Sequence, residues 1–202
     1  PRSRPSAGEV VNNKIAFVFP GQGSQHVGMG KELCDRFSVA QEVFAEAEEA
    51  LDFPLSRLCF DGPEAELKLT ENTQPAILTA SVAALRVLET ETSLRPALVA
   101  GHSLGEYSAL VAVGALRFRD AVKGVRERGR LMQQAVPAGQ GAMAVLIGLE
   151  RDAVRSLCSE AGQGEVVSPA NYNGGGQVVI AGVKSAVARA MALAKERGAK
   201  RV

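Results

Sequence analysis

Tryptophan is absent from this chain of 202 residues, tyrosine and histidine occur twice each, and aromatic residues make up 4% of it. Neither sign of charge is in excess, since 23 basic residues stand against 22 acidic ones. No block of like charge and no basic stripe interleaved with aromatics is present, so nucleic acid is not an expected partner. No apolar run reaches about 18 residues, which excludes a membrane span as an expectation. The N-terminal PRSRPSAGEVVNNK lacks the apolar stretch of a secretion signal. Cys34, Cys59 and Cys158 are odd in number and widely spaced, without CxxC or metal-ligand spacing, so they read as reduced, buried thiols. With His26 and His102 the sole histidines, no metal site is expected. What remains is a cytoplasmic globular chain, 46% hydrophobic and 22% charged, long enough for one core or one core plus a small appendage.

The most informative stretch is GHSLGEYSAL, residues 101–110. The apolar run 97–100 before it reads as a buried strand, and an Ala/Leu/Val-rich helical pattern follows. A GxSxG pentapeptide between strand and helix is the context of a nucleophile elbow, in which Gly101 and Gly105 remove Cβ atoms from a close crossing and Ser103 is pushed above the sheet edge. A second reading stands beside it: Ser103 with Glu106 three residues later also spells a capping box, which satisfies helix N-terminal amides and does no chemistry.

Residues 1–13 read as a flexible leader. IAFVF, 15–19, is a short continuous apolar run of the kind found in strands covered on both faces. The loop GQGSQ, 21–25, follows it. As a phosphate cradle it fails, because it lacks the GK[ST] ending and His26 stands where the third glycine of GxGxxG belongs. Its flanking glycines leave Gln22 open to close approach by a ligand. Amphipathic helices are expected over 29–37 and 39–51. Residues 52–70, broken by Pro54, Gly62 and Pro63, read as short helical turns on the surface. TENTQPA, 70–76, opens a long helix running to about Glu89, with Pro75 in its first turn and Gln74 at its mouth as an ordinary polar residue of a helix start. A further helix from Phe118 to about Val136 carries Arg126, Arg128 and Arg130; at a spacing of two they cannot share one face, and Arg128 by itself reads as a solvated helix arginine.

After Pro137 the pattern changes to strand 142–148, helix 151–162, strand 166–173, strand 176–182, helix 184–198 and the start of a strand at AKRV. That order, βαββαβ, is the split βαβ or ferredoxin-like unit. The expected domains are therefore a leader over 1–13, an α/β core over 14–137 and a small subdomain over 138–202.

FPGQGSQ (19–25), TENTQPA (70–76), GHSLGEYSAL (101–110), the RERG holding Arg128, and ANYNGGGQVVIAG (170–182) together resemble the malonyl-CoA:acyl carrier protein transacylase family of bacterial fatty-acid synthesis. The resemblance spans the chain from Ile15 onward. It implies an α/β-hydrolase-like core with a parallel sheet and an inserted ferredoxin-like subdomain, the C-terminal part of the family's length being missing. It implies a ping-pong transfer of malonyl from coenzyme A to the phosphopantetheine thiol of acyl carrier protein, with no cofactor beyond these substrates. Ser103 matches the acyl-carrying serine, Gln22 and Leu104 the oxyanion-hole positions, and Arg128 the arginine that holds the malonyl carboxylate. His102 and Gln74 match supporting positions. The family's general-base histidine falls beyond Val202, so this chain alone is expected to turn over little. A polyketide-type acyltransferase, a serine esterase on a related fold, and an inert fragment or carrier-binding module are the alternatives.

Overall fold

The structure, a computed structural model, describes residues 15–135 and 139–202. The leader over 1–13 and the boundary at 137/138 lie outside the described residues. The chain divides into two compact units, one extending to Gln133 and the other from Gln134 to Val202. The fold is mixed α/β, with a parallel and an antiparallel sheet.

In the first unit, β1 (Ala16–Phe19) pairs in parallel with β2 (Leu98–Gly101), Phe19 opposite Gly101. Parallel neighbours need a long crossover. Here it is made by α1 (Lys31–Arg36), α2 (Ser38–Leu51), α3 (Leu55–Asp61), α4 (Glu64–Leu67) and α5 (Thr70–Glu91). After β2 come α6 (Leu104–Ala112) and α7 (Phe118–Ala135). The continuous apolar runs predicted strands covered on both faces; instead Val18 is 75% and Leu98 68% exposed. Apolar β-branched side chains favour the extended backbone, but coverage requires layers on both sides, and among the described residues this sheet has two strands.

The core of this unit is built around α5, whose Ala76, Ile77, Leu78, Val82 and Ala83 are buried together with Val43, Phe44, Leu104, Val122 and Val125. Residues 52–70 are not surface turns. Leu55, Leu67 and Cys59 are fully buried, because Pro54, Gly62 and Pro63 shorten the helices without disturbing the apolar spacing within them. The first turn of α5 is fixed from below by side chains: Thr73 Oγ1 donates to Leu67 O at 2.6 Å, and Asn72 Nδ2 donates to Glu66 O at 2.9 Å. Pro75 stands inside the helix rather than in its first turn, so the carbonyl four residues earlier, that of Glu71, receives no amide from it.

Burial and the nearby Glu48 carboxylate push the Cys59 thiol up from 9.0 to about 12. The native state thus keeps a proton that the unfolded chain releases above pH 9, and stability is lost as pH rises from 9 towards 12. The slope from this one group is about 1.4 kcal/mol per pH unit. Cys59→Ala is expected to flatten that alkaline loss, as read from urea midpoints at pH 8 and pH 10 with wild type alongside.

The second unit contains β3 (Gly141–Ile147), α8 (Arg151–Gly162), β4 (Val167–Gly174), β5 (Gln177–Val183) and α9 (Lys184–Glu196). Its sheet order is β3-β5-β4, all antiparallel. Arg201 bridges antiparallel to Ile147, whose N–H and C=O face away from β5, so the last residues begin a strand on the free edge of β3. This is the ferredoxin-like order. Period-two burial explains it: Ala144 and Leu146 on β3 and Val178 and Ile180 on β5 join Val154, Leu157, Val187 and Ala190 of the helices in one core. Among the described residues no helix is long and apolar enough to cross a membrane.

Candidate active site

The site lies in the first unit and starts from the turn after β2. The strand ends at Gly101 and α6 starts at Leu104, so His102 and Ser103 make the whole connection. Ser103 has φ 54° and ψ −108°, a conformation that costs a residue with a Cβ about 1–3 kcal/mol. The surrounding contacts show why the chain accepts it. A Cβ on Gly101 would stand 2.0 Å from the Gly105 carbonyl carbon, and one on Gly105 would stand 2.4 Å from Phe19 O. Strand, turn and helix therefore meet at backbone contact, which is the nucleophile-elbow geometry. Gly101→Ala is expected to cost about 3 kcal/mol or more, since the obstacle is backbone that cannot rotate away. Urea unfolding against wild type measures it.

Within the elbow, Gly105 N–H donates to His102 O at 3.0 Å and Glu106 N–H to Ser103 O at 3.3 Å. The Ser103 side chain makes no cap bond, so the capping box read from Ser103 and Glu106 is not formed. Its hydroxyl is engaged elsewhere: Arg128 Nη2 donates to Ser103 Oγ at 3.0 Å. Leu104 is fully buried and sits on the first turn of α6, where the helix's partial positive charge and its first amides point back at the elbow. His102 is exposed and lies on the turn that follows the strand.

The loop 21–25 abuts the elbow. A Cβ on Gly21 would come 2.9 Å from His102 O, so the missing side chain lets the loop reach the turn. Beside it Gln22 is exposed, and its Nε2 donates to Thr70 Oγ1 at 3.2 Å, tying the loop to the start of α5.

Arg128 is held from three sides. Besides Ser103, its Nη1 donates to Gln74 Oε1 at 2.5 Å, and its guanidinium carbon lies 5.7 Å from the Tyr107 ring centroid. Gln74 is fully buried, and its Nε2 donates to Met132 Sδ at 3.4 Å. Arg128 is half-buried and, among the described residues, in no ion pair. A cation tied by neutral acceptors beside a strained serine has the chemistry to receive a carboxylate, because a guanidinium fork matches two carboxylate oxygens. The neighbouring arginines take the other directions that the spacing requires. Arg126 packs 4.0 Å over the Phe53 ring, and burial lowers its pKa; Arg130 pairs with Glu127 in the open.

Ser103, Gln22, Leu104, Arg128 and Gln74 are thus gathered around one turn. Sequence reasoning did not single out Thr70, Tyr107, Gly129 or Met132. Of these, Gly129 carried a signal: a glycine inside a helix costs about 0.5–1 kcal/mol against alanine, so its presence marks a close approach. A cavity of about 690 Å³ lies along β1 and the Ile77–Leu88 face of α5, and neither Ser103 nor Arg128 lines it. Among the described residues no group of three or more His, Cys, Asp or Glu is placed to hold a metal ion.

Residues 16–202 match the family model of the acyl transferase domain. The chain is 54% identical over 188 residues to the malonyl CoA-acyl carrier protein transacylase of Escherichia coli K12, covering 93% of this chain and 61% of that protein. Against the same-named protein of Bacillus subtilis it is 52% identical over 190 residues, covering 94% of this chain and 60% of that one. A solved acyl carrier protein S-malonyltransferase of Vibrio cholerae superposes with a TM-score of 0.83 at 57% identity, over 92% of this chain and 61% of that one. A malonyl-transacylase solved in complex with a type II PKS acyl-carrier protein gives 0.84 at 52% identity, over 93% and 61%. The chain therefore spans about 61% of the length of the curated relatives it matches.

Proposed function

Because this chain belongs to the acyl transferase domain family, we propose that it supplies the acyl-accepting serine and the carboxylate seat of a malonyl-CoA:acyl carrier protein transacylase of the cytoplasm. The observation that carries this reading is the Arg128 fork, donating to Ser103 Oγ and to Gln74 Oε1 together. A general serine hydrolase has no use for a cation held at its nucleophile. A substrate with a free carboxylate next to the reacting carbonyl does.

In the proposed sequence the malonyl carboxylate takes Arg128 Nη2, and Ser103 Oγ is released. Oγ attacks the thioester carbon, the Oγ–C bond forms, and the carbonyl oxygen becomes an oxyanion facing the backbone amides of Leu104 and Gln22. Loss of one such donor typically costs about 100- to 1000-fold. The C–S bond then breaks and coenzyme A leaves as its thiol, carrying the proton that Ser103 gave up to a general base. We place that base in the length by which the relatives exceed this match. In the second half, the phosphopantetheine thiol of acyl carrier protein gives its proton to the base and attacks the seryl ester; the Oγ–C bond breaks, Ser103 Oγ takes the proton back, and malonyl leaves on sulfur. Such base assistance is worth about 100- to 10,000-fold.

Intact-mass measurement after incubation with malonyl-, acetyl- and methylmalonyl-coenzyme A tests the reading. One malonyl group per chain, gained in preference to acetyl, is expected. Preferential uptake of methylmalonyl would favour a polyketide-type acyltransferase, the second reading raised by the superposition on the transacylase bound to a type II PKS acyl-carrier protein.

A further inference from the structure

The N-terminal turn of α5 touches two parts of the site at once and makes a third, backbone contact that the proposed chemistry does not use. Thr70 Oγ1 receives Gln22 Nε2, and Gln74 Oε1 receives Arg128 Nη1. Between them α7 comes down onto the same turn at Gly129, where an added Cβ would lie 2.6 Å from Thr70 O, 2.7 Å from Glu71 Cα and 2.9 Å from Glu71 N. The obstacle is backbone on the α5 side, and that backbone is itself anchored to α4 through Asn72 and Thr73. Little on that side can yield.

We propose that Gly129 is a positioning residue for the carboxylate seat: its missing Cβ lets α7 rest on Thr70 and Glu71, which brings the neighbouring Arg128 within reach of both Gln74 and Ser103. The inference rests on the acyl-transfer reading above. Its chemical content is selectivity. Arg128 reaches Ser103 Oγ at 3.0 Å only with α7 at this depth. A Cβ at 129 has to lift α7 and draw the guanidinium back, while the elbow stays between β2 and α6 and the oxyanion amides stay on α6 and the loop after β1. Acylation by a carboxylate-bearing thioester therefore suffers, and acylation by a neutral one does not.

The test compares initial rates of Ser103 acylation from malonyl- and acetyl-coenzyme A, by intact mass, in the full chain. Gly129→Ala is expected to lower the malonyl-to-acetyl ratio by roughly 10- to 100-fold, the scale of an ångström misplacement. In the Arg128→Ala background the same substitution is expected to leave the ratio where Arg128→Ala alone sets it, because both act through one group. A lower melting temperature with an unchanged ratio would overturn the inference, as would a further drop in the Arg128→Ala background. Should Gly129→Ala not fold, Gln74→Met removes the second hold on Arg128 without adding a Cβ at the seat. A ratio unchanged by it would overturn the positioning role of the α5 turn. If wild type acquires no malonyl on Ser103, the acyl-transfer reading fails instead, and the two failures are distinguishable.

Discussion

Ser103→Ala is expected to acquire no malonyl group from malonyl-coenzyme A. Where turnover is measured, it should fall by about 10⁶-fold, the scale seen when a serine enzyme loses its nucleophile. The reason is local. Ser103 is the residue held at φ 54° on the turn between β2 and α6, and its hydroxyl is turned to Arg128 and not to the helix amides. Alanine removes the attacking oxygen and relieves little of the backbone strain, since it also carries a Cβ at that positive φ. Stability should change little, so lost acylation with an unchanged urea midpoint identifies a chemical role. Persisting malonyl uptake would place the nucleophile elsewhere.

Arg128→Ala is expected to reverse substrate preference without abolishing acylation. Truncating one partner of a hydrogen-bonded charge pair, here Arg128 with the bound malonyl carboxylate, costs about 2 to 5 kcal/mol once substrate covers it, so uptake of malonyl should fall by about 30-fold to several thousandfold. Uptake of acetyl should hold or rise, because the hydroxyl oxygen no longer accepts a hydrogen bond from the guanidinium. Lysine at 128 should recover only part of the loss. A point-like ammonium cannot reach Gln74 Oε1 and two carboxylate oxygens at the same time. Competitive labelling with the two thioesters, read by mass, gives the ratio directly. Equal losses for both substrates would make Arg128 a structural residue.

Much of this architecture was legible because local signals agreed with one another. In the second unit, period-two strands, helices with one apolar face and turn glycines all pointed to βαββαβ, and the Ile147–Arg201 bridge completes the order. The elbow was legible for a different reason, since GHSLG fixes both the glycines and the strained residue between them. The letters around Ser103 alone fit a capping box as well as a nucleophile; in the structure its side chain makes no cap bond and accepts from Arg128, 25 residues away in sequence. Burial was misjudged where it depends on distant layers. Val18 and Leu98 are apolar yet open, and Leu55 and Leu67 are interior although punctuation by proline and glycine made their segment read as surface. The close contact beneath Arg128 escaped notice because it rests on an absence, the Cβ that Gly129 lacks against Thr70 and Glu71. A mid-helix glycine in RERG was the clue.

In the proposed chemistry Ser103 carries the acyl group while Arg128 selects it. Tandem mass spectrometry of the peptide spanning the elbow, after the chain has been incubated with equal malonyl- and acetyl-coenzyme A, tests both halves at once. Malonyl on Ser103 in excess of acetyl is expected, and the reverse order in Arg128→Ala. Malonyl on another residue, or an unchanged ratio in the variant, would contradict it.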